Sequence, residues 1–381
     1  MPAVTIEDVR QRESELLDSL RAIVELESPS RDKEAVDRLA RYLQQRCADL
    51  GGAVEVFPQA EYGDLTLATW PAEQRDGAER PVLVLTHIDT VWPLGTLARK
   101  PFTVEGRVAR GPGVFDMKAS VAMMLEALRL IGEKQLPHRT IQWLINTEEE
   151  VGSPVSRPLI EDLARQAEYV LVLEPPVSPH GALKTARKGV GMFTLEVRGR
   201  ASHAGADHEA GISAIQELAN QIQYLHGLTD YGLGTTVNVG VVSGGSARNV
   251  VAAAARAEID VRVTTAREAE RITRSILQAQ PRLPGTELTI TGGLNRPPME
   301  RTERIAAAFG RARELGAGLG LDLGEASTGG GSDGNFTAAA GAATIDGLGC
   351  PGEGAHAEHE HILLDQLLER TALLTALLTG L

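Results

Sequence analysis

The run Val82-Leu83-Val84-Leu85-Thr86-His87-Ile88-Asp89 decides how this chain folds. Four apolar residues in succession, with no alternation between wet and dry positions, read as a strand buried on both faces, the habit of parallel strands sandwiched between helices. The strand ends in a histidine, and two positions on an aspartate lies on the same side of an extended chain. Similar runs follow at Ile141 to Ile145, Val170 to Leu173 and Ala342 to Ile345, with helical stretches at Ser120 to Gly132 and Leu363 to Leu378. Short apolar strands alternating with helices predict an α/β fold, a largely parallel central sheet flanked by helices.

Outward from this core the pattern changes. Ile6 to Leu50 reads as two amphipathic helices interrupted near Ser28-Pro29-Ser30, with Gly51-Gly52 as a stop. From Val190 to about Leu294, Phe193 to Val197 and Ala257 to Val263 alternate as half-buried strands, and Ile212 to Leu225 makes one helix, so a separate α+β insertion is expected. A helix resumes at Thr302 after Arg296-Pro297-Pro298, and the end of the chain is expected to rejoin the first sheet. A length of 381 residues fits two domains better than one ordinary core.

Composition removes several classes of function. The chain is 43% hydrophobic and 23% charged, and it holds no apolar run near the ~20 residues that span a bilayer, so no membrane association is expected. A formal net charge of −13 opposes binding to a phosphate backbone, so no nucleic-acid partner is expected. Met1 to Leu20 carries Glu7, Asp8, Arg10, Arg12, Glu13 and Glu15 among its apolar residues and lacks the continuous apolar core of a secretory signal, which makes a cytoplasmic location the expectation. Only Cys47 and Cys350 are present, so a metal would be held by His and carboxylates.

The acidic and histidine residues at strand ends lie where open α/β sheets place their ligand crevices. His87 can be a metal ligand oriented by Asp89, or half of a satisfied polar pair. Asp116, in Gly111-Pro112-Gly113-Val114-Phe115-Asp116-Met117-Lys118, follows a forced turn just before a helix. Its carboxylate can bridge two cations, or merely favour the helix N-terminus. Glu148, Glu149 and Glu150 crowd one strand end, where like charges raise one another's pKa unless a cation compensates; a solvated acidic turn is the alternative. Metal-assisted hydrolysis needs one carboxylate on the metal and another free to take a proton from water. Glu174 closes the strand Tyr169 to Leu173 ahead of Pro175-Pro176. His356 shares a Gly-rich loop with His359 and His361, and spacing does not choose among the three. Nitrogen and oxygen ligands without thiolate suit Zn2+, with Mn2+ or Co2+ as substitutes.

Five runs carry a resemblance: Thr86-His87-Ile88-Asp89-Thr90-Val91, Gly111 to Lys118, Thr147 to Ser153, Leu173-Glu174-Pro175, and Ala201-Ser202-His203-Ala204-Gly205. In this order they resemble metallopeptidase family twenty, the aminoacylase and carboxypeptidase group, and within it the glutamate carboxypeptidases of the carboxypeptidase G type. The resemblance covers almost the whole chain. It implies a catalytic domain of the di-zinc exopeptidase kind from residues 1–187 and 297–381, with a lid and dimerisation domain inserted at 188–296. It implies two Zn2+ per subunit: His87 and Glu174 on one, Glu150 and His356 on the other, Asp116 bridging. Glu149 is then the general base and Asp89 the partner of His87. His203 is implied to reach a partner subunit's active site and steady the oxyanion, which makes the expected assembly a homodimer through the lid.

Asn249 and Arg296 match positions that touch the substrate carboxylate in relatives, and Gly329-Gly330-Gly331-Ser332-Asp333 resembles a loop whose backbone N–H groups form an anion nest. Taken alone, Arg296 reads as a solvent-exposed residue. Two features depart from the pattern: Glu148 stands where close relatives often have Asp, and Lys184, Arg187 and Lys188 form a more basic set than the folate-cleaving member carries. The implied activity is cleavage of the amide bond of an N-acyl or N-peptidyl amino acid with a free C-terminal carboxylate. Its rivals are an N-acyl-amino-acid deacylase of the acetylornithine or succinyl-diaminopimelate type, a dipeptidase, and a catalytically inactive metal-dependent binding protein.

Overall fold

The computed structural model describes residues 3–72, 80–179 and 181–381, and the chain divides into two compact units. The first comprises Met1–Ala186, Arg301–Thr328 and Ser332–Leu381; the second comprises Arg187–Glu300 and Gly329–Gly331.

In the first unit Val82–His87 is an inner strand of a six-stranded sheet ordered Ala53–Phe57, Leu65–Trp70, Ile141–Asn146, Val82–His87, Tyr169–Val172, Ala343–Ile345. Only Leu65–Trp70 runs against its neighbours; the other pairings are parallel. All six residues of Val82–His87 are buried, and the two-residue period of a strand sends them into two cores. Val82 and Val84 pack with Trp143, Ile145 and Leu171, whereas Leu83 and Leu85 pack with Leu144, Val170, Val172 and Phe336. The helices Ala119–Lys134 and Leu364–Gly380 are buried over most of their surface and pack on each other, as expected of helices apolar nearly all round.

The N-terminal segment departs from expectation. It forms three helices, Ile6–Arg10, Glu13–Val24 and Lys33–Asp49, not two. Thr5 and Asp8 cap each other reciprocally and start a short separate helix, and Arg12 leaves helical backbone angles at φ −116°, ψ 15°.

The second unit is an antiparallel sheet ordered Thr236–Gly244, Ala254–Val263, Gly189–Arg198, Glu287–Arg296. Alternate residues Phe193, Leu195 and Val197 face a core completed by helices Ala214–His226 and Ala266–Leu277. The second of these helices was not anticipated. Its start is nonetheless written in Thr265-Ala266-Arg267-Glu268: Thr265 accepts from the Glu268 amide, and Ala269, Ile272 and Ile276 form its buried stripe.

No helix among the described residues is long and apolar enough to cross a membrane. Cys47 and Cys350 are both free and buried. Burial pushes the Cys47 thiol up to about 12 and raises that of Cys350 further. Because the thiolate is the reactive form, neither should react with a disulfide reagent such as Ellman's in the native protein. Both should react once the chain is unfolded in denaturant; prompt labelling of the native chain would contradict this packing.

Candidate metal centre

Three adjacent parallel strands, Ile141–Asn146, Val82–His87 and Tyr169–Val172, end on the same side of the sheet. From those ends come the Glu148-Glu149-Glu150 turn, His87 and Glu174. The segment that leads into helix Ala119–Lys134 brings Asp116, and the loop after the fourth parallel strand, Ala343–Ile345, brings His356.

The Asp116 carboxylate lies between two imidazoles. Its Oδ1 is 3.1 Å from His87 Nε2 and its Oδ2 is 3.4 Å from His356 Nε2. On one side His87 Nε2 is also 3.7 Å from Glu174 Oε1. On the other, His356 Nε2 is 3.1 Å from Glu150 Oε2. The ligand atoms of His87, Asp116 and Glu150 fall within 4.8 Å of one another, as do those of His87, Glu149 and Glu174. Glu150 Oε1 is buried without a hydrogen-bond partner, an acceptor that a cation would satisfy. Of the three loop histidines, only His356 makes an ion pair with these carboxylates; His361 Nδ1 instead faces the His359 carbonyl.

Other groups hold this cluster. His87 Nδ1 faces the Asp89 carbonyl at 3.0 Å, nearer than the Asp89 carboxylate at 3.5 Å. That carboxylate instead accepts the backbone N–H groups of Glu149 and Glu150, both at 3.1 Å, so Asp89 ties the histidine to the acidic turn. Glu148 is wholly buried and accepts from the amides of Val155 and Ser156, which overturns the reading of the triplet as a solvated turn. Asn146 donates to Asp333 at 2.6 Å while its own carbonyl accepts the Thr147 amide, and Ser153 donates to Asp333 at 2.5 Å. The sequence reading missed Asp333 as a brace of this turn, since nothing in its spacing pointed across 180 residues to Ser153.

The electrostatics show what the cluster demands. Burial disfavours a charged His87, but its bonds to Asp116 and Asp89 prevail and hold its pKa well above the usual value. Bonds to Asp116 and Glu150 push His356 up to about 10. Burial raises Glu150, with its bond to His356 only partly opposing this. Asp116 is held low despite burial, because both histidines bond to it. Concentrated negative charge is thus compensated by imidazolium, and divalent cations provide the same compensation.

The remaining predicted residues lie in the second unit. His203 is exposed, and its Nδ1 accepts from the amides of Gly205 at 3.2 Å and Ala206 at 3.0 Å, which leaves the neutral ring's proton on Nε2. The Asn249 carbonyl accepts the Ala204 amide at 2.9 Å, so the two loops are joined. Arg296 is 4% exposed, contrary to its reading as a solvent-facing residue, and a side chain on Gly331 would collide with it. Gly330 and Gly331 present carbonyls to Arg187 Nη1 at 3.1 and 3.2 Å, and Lys188 donates to the Gly234 carbonyl. Part of the basic set is therefore engaged in holding the unit's own backbone.

Such a sheet, with two His and several carboxylates gathered at its C-terminal edge, defines a metal-dependent hydrolase. Residues 83–380 match the peptidase family M20/M25/M40, and the chain belongs to that family. It is 30% identical over 352 residues to carboxypeptidase G2 of Pseudomonas sp. (strain RS-16), covering 90% of this chain and 83% of that protein. It is 26% identical to the succinyl-diaminopimelate desuccinylase of Thioalkalivibrio sulfidiphilus, covering 80% and 85% respectively. Among solved structures it superposes with a TM-score of 0.70 on a Bacillus subtilis protein described as a dinuclear metal binding peptidase, at 14% identity, covering 97% of this chain and 98% of that one.

Two outcomes are expected. Replacing Asp89 with Ala frees the acidic turn and should weaken metal binding by ~10–100-fold, as loss of an outer support commonly does, measured by chelator competition; unchanged affinity would contradict the role of Asp89. With His87 and His356 as ligands, metal binding at pH 7 would require both imidazoles to shed protons, so affinity should rise with pH below the raised pKa values. Calorimetric enthalpies should accordingly vary with the ionisation enthalpy of the buffer, and buffer-independent values would refute the proton coupling.

Proposed function

We propose that this chain is a two-metal hydrolase that cleaves the amide bond of an N-acyl or N-peptidyl amino acid beside a free carboxylate, in the manner of a glutamate carboxypeptidase. The observation that carries the proposal is the placement of Asp116, one oxygen toward His87 and the other toward His356. His87 and Glu174 would then hold one ion and Glu150 and His356 the other, with Asp116 shared between them. The donor set of imidazole and carboxylate favours Zn2+, with Mn2+ or Co2+ able to replace it.

Two such cations polarise a carbonyl and lower the pKa of water. The chain's own groups do the rest. Glu149, whose backbone is fixed by Asp89, takes a proton from the attacking water and delivers one to the departing amine nitrogen. His203, its Nδ1 engaged by two amides, is assigned as an Nε2–H donor to the developing oxyanion, supplied to the partner subunit. Asn249, Arg296 and the Gly330-Gly331 backbone are assigned to the substrate carboxylate, a task suited to the planar guanidinium fork.

Names carried by relatives include both a carboxypeptidase and a desuccinylase, so acyl groups and C-terminal side chains are both open to choice. Homodimerisation is supported by the edge strand Thr236–Gly244, which among the described residues pairs on one side only and leaves Val241 and Val242 each 56% exposed. Exposed apolar edge strands invite pairing with another copy.

Glu149→Ala should retain both metal equivalents while turnover falls by ~10²–10⁴-fold, the scale of general-base catalysis. Substantial residual activity would remove Glu149 from its role. A panel of N-acyl amino acids ending in Glu, Asp, Ala, Arg or Leu then identifies the substrate; two bound metals with no hydrolysis of any member would favour a binding protein. Light scattering should give about twice the 40.6 kDa chain mass, and a monomer would exclude the dimer.

A further inference from the structure

The loop that presents His356 also carries Glu360, which the sequence reading did not single out. Its side chain is 1% exposed, yet four donors converge on it, one from Trp92 and three from the turn Gly113 to Asp116. Oε2 accepts from Trp92 Nε1 at 2.8 Å and from the Gly113 amide at 3.0 Å. Oε1 accepts from the amides of Phe115 at 3.0 Å and Asp116 at 3.2 Å. The turn before Asp116 is thus a concavity of backbone N–H groups, an anion nest, filled by a carboxylate of the chain itself.

Neither partner can shift easily. Gly113 has φ +71°, and a Cβ there would lie 2.6 Å from Thr90 Cγ2. Gly354 has φ +83°, and a Cβ there would lie 2.9 Å from the Glu360 nitrogen, so the His356 loop folds directly back on Glu360. His356 itself is held at φ +61°, a conformation that non-glycine residues seldom adopt unless their surroundings impose it. Lys100 adds a second tie: its Nζ sits 4.0 Å from the centroid of the Trp92 ring and donates to the Ala357 carbonyl at 3.1 Å.

We propose that Glu360 is a positioning residue that locks the Asp116 turn to the His356 loop, and thereby sets the separation of the two ligands that build the His356–Glu150 metal site. The proposal rests on the ligand assignment above. It predicts an unequal defect, because the His356 side depends on this link through both His356 and Asp116, whereas the Glu174 side shares it through Asp116 alone.

The test uses the full-length apoprotein titrated with Co2+, followed by visible absorption and chelator competition, alongside thermal melts. Glu360→Gln keeps the shape but places an NH2 group against two donors whichever way the amide turns. One Co2+ equivalent should bind ~10–100-fold more weakly, and the other should lose less. Glu126→Gln is the control: Glu126 is equally buried in the same unit but bonds to Arg12 and Arg129, so it should lower the melting temperature with both affinities unchanged. Two wild-type affinities in the Glu360 variant, with only a lowered melting temperature, would overturn the proposal. Should that variant not fold, Trp92→Phe removes one of the four donors and keeps the aromatic face for Lys100. It should weaken the same equivalent, and unchanged affinity there would equally overturn the inference. A wild-type protein that takes up fewer than two equivalents would instead overturn the ligand assignment on which the inference rests.

Discussion

The concentration of negative charge at one edge of a buried parallel sheet is the constraint around which the first unit is organised. Asp116 and Glu150 share one close group with His87, and Glu149 and Glu174 another, so like charges repel unless a cation or imidazolium lies among them. Strand geometry brings them there: adjacent parallel strands must end together, and their connections must leave from the same side. The apolar residues of Val82–His87 hold the sheet, and the polar residues just beyond them inherit that precision.

Beneath these groups lies a second set of carboxylates that do not join the cluster but grip the backbone that presents it. Asp89 holds the amides of Glu149 and Glu150, Glu148 holds those of Val155 and Ser156, and Asp333 braces Asn146 and Ser153. Glu360 does the same for the turn at Asp116. Charged acceptors make hydrogen bonds about twice as strong as neutral ones, which suits loops that must stay fixed against mutual repulsion of the side chains they bear. The acidity of the chain therefore has two uses here, one directed at cations and one at peptide N–H groups.

The fold was legible where burial imposed a period. Val82 to Leu85 and Phe193 to Val197 could be placed on sheets because a strand's two-residue repeat matches how those residues are buried. Helix Ala266–Leu277 escaped notice because its many arginines dilute the apolar stripe, although its capping residues were plain. The break at Arg12 carries no side-chain cap to mark it, so a search for long amphipathic helices runs through it. At the candidate site, residue type and position pointed to His87, Asp116, the Glu148-Glu149-Glu150 triplet and Glu174, but only family likeness separated Glu150 from Glu149 and singled out His356. The supports Asp333 and Glu360 were hidden for a different reason: they act on backbone far away in the sequence, and backbone leaves no trace in residue identity.

The long continuous stretch of the second unit begins and ends at one place. Arg187 and Met299 exchange a pair of backbone hydrogen bonds, each 3.0 Å, so the chain departs and returns through a doorway one strand spacing wide. An excursion of more than a hundred residues is closed off like a stem, and its contents can be lengthened, shortened or traded during evolution without altering the distance that the flanking chain must bridge. Only the Arg187–Met299 stretch is closed in this way, since Gly329–Gly331 belongs to the second unit as well.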